Sequence, residues 1–247
     1  MPETPPFPLR VVLGAAWALL GGGKRSLRVD ALYCTRRLPI KVLGAEHIPY
    51  GGPGVVLLNH YYRPGFFSAW MTLVVSAVIP LELVWVISAA WTDANTTWTR
   101  IKAAISVPLF PRLARVYNLI SMPPMPPRPH ETAARARAVR CILAAARQNP
   151  APLLAIAPEG QDPPGGVLMR PPPGAGRMLA RLAQAGCRFY PVGIYEQDEE
   201  VVTSFGSSFQ LILPEGLSPD EIDRQAADQG MHAIAALLPP GLRGVYA

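Results

Sequence analysis

Val55-Val56-Leu57-Leu58-Asn59-His60-Tyr61-Tyr62-Arg63-Pro64-Gly65 is the stretch on which the reading of this chain turns. Its apolar run follows the turn-rich Glu46-His47-Ile48-Pro49-Tyr50-Gly51-Gly52-Pro53 and reads as a strand buried on both faces. The run delivers Asn59 and His60 just ahead of an apolar helical segment. A histidine at the carboxyl end of such a strand is held by a rigid element and opens onto the crevice where open α/β sheets place their ligands. Taken alone it is also what a hydrogen-bonded structural histidine looks like. A second apolar run, residues 153–157, ends in Pro158-Glu159-Gly160. A base and a carboxylate ending neighbouring parallel strands would face one crevice, which makes the pair a candidate site.

Outward from this segment the pattern alternates. Residues 40–44, 54–58, 83–87, 153–157 and 188–194 and a segment around 209–213 read as strands. Helices are expected over 64–78 with Pro64 in the first turn, over 96–117 with interruptions at Pro108 and Pro111, and over 131–148 and 174–185. A last helix follows the cap pattern Ser218-Pro219-Asp220-Glu221 and runs to 238. Ser121-Met122-Pro123-Pro124-Met125-Pro126-Pro127 reads as loop, as does 163–173, and long loops tend to be functional lids or rims. Strands alternating with helices predict an α/β fold, a mostly parallel sheet flanked by helices, over residues 39–247. The first 38 residues read as one or two amphipathic helices ended by Pro39.

Half of the 247 residues are apolar and 16% are charged, against about 25% in typical soluble domains. With a mean hydropathy of +0.19, this composition fits work at a greasy surface. The net charge of +6 has no nucleic-acid pattern behind it: no helix-turn-helix, zinc-finger or ribonucleoprotein signature occurs. Cys34, Cys141 and Cys187 are far apart and odd in number, which supports neither a disulfide framework nor a zinc site and points to a reducing compartment. Up to Lys41 the chain carries Arg10, Lys24, Arg25, Arg28, Arg36, Arg37 and Lys41 against Glu3 and Asp30, a net +5 beside the apolar stretch 11–23. That stretch is too short to span a bilayer. The combination suits peripheral docking on an anionic leaflet at a cytoplasmic membrane face. A solvated basic face packed on the domain, or a signal peptide, would leave the same pattern.

Several blocks carry a resemblance. Val42-Leu43-Gly44-Ala45-Glu46-His47-Ile48-Pro49, Asn59-His60, Ala157-Pro158-Glu159-Gly160, Gly174-Ala175-Gly176-Arg177, Tyr190-Pro191-Val192-Gly193-Ile194 and the tail Leu237-Leu238-Pro239…Arg243-Gly244-Val245-Tyr246 follow in order. Together they resemble the glycerolipid and lysophospholipid acyltransferases, the PlsC-like superfamily, over about residues 40–246. The resemblance implies that His60 is the general base of direct acyl transfer from acyl-CoA or acyl carrier protein to a hydroxyl. It also implies substrate contacts at Asn59, Tyr61, Tyr62, Arg63, Glu159 and Gly160, and no metal or other cofactor.

The departures concern chemistry. The family signature is Asn-His-x-x-x-x-Asp, its aspartate orienting the histidine, and Gly65 stands where that aspartate belongs. The family's Glu-Gly-Thr-Arg block reads Glu159-Gly160-Gln161-Asp162, without the arginine that helps hold an acceptor phosphate. Asp162 at that point argues against a phosphorylated acceptor. A backbone carbonyl, a hydroxyl of Tyr61 or Tyr62, or Glu159 would have to supply part of what the aspartate supplies. A catalytically degenerate member that binds acyl chains or a membrane is the alternative. Without Gly-x-Ser-x-Gly, Gly-x-Gly-x-x-Gly or a P-loop, hydrolase and nucleotide-binding readings have nothing to rest on.

Overall fold

Burial sets the centre of the sheet. All five residues of β2 (Gly54–Leu58) and all four of β5 (Leu153–Ile156) are buried, as expected of parallel strands covered on both faces. The computed structural model describes residues 4–63, 65–91 and 96–247. The remaining strands are β1 (Ile40–Leu43), β3 (Leu83–Ser88), β4 (Ile120–Met122), β6 (Arg188–Gln197) and β7 (Glu200–Phe205). The helices are α1 (Leu9–Gly21), α2 (Leu27–Thr35), α3 (Ser68–Val78), α4 (Thr97–Tyr117), α5 (Thr132–Ala146), α6 (Ala175–Gln184) and α7 (Pro219–Ala235).

The seven strands run in the order β1-β7-β6-β2-β5-β3-β4. Only β6 and β7 pair antiparallel among the described residues. The molecule is therefore an α/β protein with a mostly parallel sheet flanked by helices. β2 lies between β5 and β6, with Leu57 opposite Ile156 on one side and Pro191 on the other. This register brings the carboxyl ends of β2 and β5 together beside the middle of β6.

The helices are fixed by local chemistry. Ser218 and Glu221 form the expected capping box at α7. The Asp223 carboxylate accepts from the N–H groups of Gly174 (2.6 Å) and Arg177 (2.9 Å), satisfying the open amino end of α6. The two helices approach so closely that a Cβ at Gly176 would lie 1.7 Å from the Asp223 carbonyl oxygen. At the amino end, Leu27, Ala31, Cys34 and Leu38 join the main core. Asp30 is buried and accepts from Arg25 and, at 2.7 Å, from the Tyr117 hydroxyl, which ties α2 to the end of α4. Along α1, Leu9, Leu13, Trp17 and Leu20 are exposed in a helical row, Trp17 by 79%, while Val11 and Ala18 face inward. Ile101 and Ile105 of α4 are exposed as well.

Four expectations are corrected. Residues 209–213 form no strand; Phe209 makes an isolated bridge with Phe189. The last strand is β7, joined to β6 through Asp198 and Glu199, both at positive φ (51° and 63°), a turn made without glycine or asparagine. α4 is not interrupted: it runs through Pro108 and Pro111, both exposed, so the carbonyls they leave unpaired can be hydrated. Ser121 and Met122, read as loop, lie in the short edge strand β4, which pairs only with β3. The helix expected from Pro64 begins at Ser68, and Pro64 itself lies outside the described residues.

Candidate active site

His60 follows β2 by two residues, and a neighbour on each side fixes the segment. Asn59, fully buried, donates from its amide to the Ile194 carbonyl (2.9 Å) and accepts from the Ile194 N–H (2.8 Å). Its side chain thereby continues the ladder onto β6 where the strand itself has ended. On the other side Glu159, which follows β5, accepts the His60 N–H at 2.7 Å with one carboxylate oxygen. With the other it accepts the Met169 N–H at 2.9 Å. Glu159 thus lies beside His60 at the same edge of the sheet, bonded to its backbone and not to its ring. Glu159 is 1% exposed and grips backbone with both oxygens.

Beyond His60 the chain turns sharply. Arg63 and Phe66 exchange backbone hydrogen bonds of 3.1 and 2.9 Å, closing a turn in which Gly65 has φ 86°. That conformation favours glycine. A Cβ there would lie 3.1 Å from an Arg63 guanidinium nitrogen, and the Gly65 carbonyl accepts from the Thr4 hydroxyl at 2.8 Å. The Arg63 guanidinium forks onto Glu196 near the end of β6, and the Tyr61 hydroxyl donates to the same carboxylate at 3.2 Å. Burial, and then the Glu196 charge, push the Tyr61 phenol up to about 12, so it remains a donor. Tyr62 is 38% exposed.

The imidazole itself is less constrained than its backbone. The side chain is part-buried, and its Nδ1 is buried without a hydrogen-bond partner, which leaves the other edge of the ring as the reachable one. Among the described residues no carboxylate is bonded to Nδ1. Burial lowers the His60 pKa to about 4, so the ring is neutral near pH 7. Burial raises the Glu159 carboxyl to about 7 against the pull of the Met169 and His60 N–H groups, with Asp162 adding to the rise. Gly160 has φ 70°, and a Cβ there would meet Met125 at 3.3 Å and Pro172 at 4.0 Å, so the proline-rich loops 123–127 and 163–173 both border this end of the sheet.

Glu196 was not legible as a site residue. The strand expectation stopped at Ile194, and the acidic run Glu196-Gln197-Asp198-Glu199-Glu200 looks like a solvated loop. Its partners lie 133 and 135 positions away. An open surface cavity of about 460 Å³, lined by Phe209, Gln225, Asp228, Gln229 and His232, includes none of the site residues. Among the described residues no cluster of histidine, cysteine or carboxylate side chains could hold a metal ion.

No family model matches the sequence, and no curated protein matches it significantly. A solved structure does: the crystal structure of the 1-acyl-sn-glycerophosphate (LPA) acyltransferase PlsC from Thermotoga maritima, at 14% identity and a TM-score of 0.50. The match covers 93% of each chain. At that identity the likeness speaks for the fold, and the chain has the α/β fold of this acyltransferase over nearly its whole length.

Proposed function

We propose that the chain is an acyltransferase that moves a fatty acyl group from acyl-CoA or acyl carrier protein to a hydroxyl of a lipid-like acceptor, with His60 as general base. The observation that carries the reading is the place of His60: after central strand β2, its N–H gripped by Glu159, in a fold shared with a solved acyltransferase. The reachable ring nitrogen takes the acceptor's proton as the hydroxyl oxygen attacks the thioester carbonyl. The tetrahedral intermediate then collapses, the carbon–sulfur bond breaks, and the imidazolium returns the proton to the leaving thiolate. Base assistance of this kind contributes ~10²–10⁴ in rate. As written, the reaction uses no cofactor beyond the thioester substrate.

Of the residues expected to bind substrate, exposed Tyr62 and Gly160 are proposed to meet it directly. Asn59, Tyr61, Arg63 and Glu159 form the wall behind, each already engaged with protein groups. The acceptor is proposed to reach the site from a membrane on which the protein docks peripherally, at its cytoplasmic face. Support comes from the exposed row Leu9, Leu13, Trp17 and Leu20 beside the basic residues of the first 41 positions. Among the described residues no helix is long and apolar enough to cross a membrane.

One observation favours a second reading. The unpartnered Nδ1 leaves the tautomer of His60 unfixed, as expected of a chain that binds acyl groups or a membrane and no longer transfers. Thiol release from acyl-CoA and acyl carrier protein thioesters, with hydroxyl acceptors bearing or lacking phosphate, separates the two. The transferase reading predicts release that depends on a hydroxyl acceptor. Acyl-chain binding without release from any pair would establish the second.

A further inference from the structure

We infer that Glu196 is the positioning residue of this site, holding the His60 segment in place from β6 where the family's aspartate is missing. The inference rests on the acyltransferase reading for its kinetic consequences and on contacts alone for its geometry. His60 sits between two points of attachment to one strand. Asn59 is bonded to Ile194, and Tyr61 and Arg63 are bonded to Glu196, two residues further along β6. The Glu196 side chain is 4% exposed and that of Arg63 17%.

A forked, largely buried arginine–carboxylate pair fixes direction as well as distance. Removing one partner of such a pair leaves an uncompensated charge. Because Arg63 balances Glu196, the carboxylate lends His60 no net negative charge. Its effect on the base is therefore one of placement. A carboxylate on Nδ1 orients the ring directly; here the segment is held instead, through the His60 N–H by Glu159 and through the Tyr61 and Arg63 side chains by Glu196.

Glu196→Gln and Glu196→Asp test this through two independent readouts. In the thiol-release assay, Glu196→Gln should lower kcat ~10–100-fold, as expected when a reacting group is displaced by about 1 Å. KM for the thioester should stay within about twofold; the acid limb of the pH profile, read in Glu196→Gln combined with Arg63→Gln so that no charge is left uncompensated, should not move, since only placement changes. Glu196→Asp, which keeps the charge, should recover part of the loss. The second readout needs no turnover. The rate of diethylpyrocarbonate modification at His60, located by mass spectrometry and referenced to exposed His130, should change several-fold in Glu196→Gln while His130 is unaffected. Unchanged kcat and unchanged His60 reactivity in a folded variant would overturn the inference. A shift of the acid limb in the double variant would make Glu196 an electrostatic partner and overturn it too. Loss of the fold in both variants would reduce Glu196 to a stability residue. If the parent protein releases no thiol at all, the transferase reading fails, while His60 reactivity still decides what Glu196 does.

Discussion

His60 combines a firmly held backbone with a loosely specified ring. Its N–H is bonded to Glu159, yet Nδ1 is buried and unpaired, at a typical cost of ~1–3 kcal/mol for an unsatisfied group. An ordinary histidine titrates near 6.5, and a carboxylate on Nδ1 would raise that value by favouring imidazolium. Here burial alone acts and lowers the pKa to about 4. Only the neutral ring accepts a proton, so activity should rise as pH increases through about 4 and no longer depend on His60 ionisation at higher pH. The acid limb of kcat/KM against pH reports this; a limb near 6.5 would mean that the ring is solvated or paired in the working enzyme. The turn at Gly65 disfavours any side chain at that position. At φ 86°, with Arg63 3.1 Å from a virtual Cβ, a side chain there meets the guanidinium that already serves Glu196.

At the level of elements, the parts readable from sequence are those whose cause is local. Four apolar residues between turns gave β2, and Ser218 with Glu221 gave the start of α7. What escaped has its cause elsewhere in the chain. β7 follows an acidic turn that resembles solvent-exposed loop, and it exists because Val201, Val202 and Phe205 are buried between β1 and β6. α4 ignores its prolines because Ala114, Val116 and the Asp30–Tyr117 bond anchor its far end. The pairing of Glu159 with His60 was foreseen as a shared edge; the hold of Glu196 on Arg63 depends on a contact across 133 positions. Proline inside a helix costs ~3 kcal/mol relative to alanine, part of which is returned by a stiffer unfolded chain. Pro108→Ala should therefore stabilise the protein by ~1–2 kcal/mol, read as a higher urea midpoint at unchanged slope. A lower midpoint would mean that the proline sets a helix path the packing needs.

At the scale of the whole molecule the proposals rest on two faces. One is the carboxyl edge of the sheet around His60. The other is the exposed apolar row of α1 with its basic surroundings, joined to the first where Thr4 bonds Gly65 and Phe7 stacks on Trp70 at 5.1 Å. If the second face docks on lipid, the protein should sediment with anionic vesicles and be released as salt shortens the screening length from ~8 Å towards 3 Å. Replacing Leu13 and Trp17 with serine should weaken sedimentation at constant salt. Binding that ignores both changes would remove the membrane from the account. The central claim is narrower: His60 carries acyl transfer. It is tested most directly by thiol release from a long-chain acyl-CoA in the presence of a hydroxyl acceptor, comparing the parent protein with a folded His60→Ala variant. The account predicts a fall of ~10²–10⁴-fold with the urea midpoint nearly unchanged; equal turnover in the two proteins would contradict it.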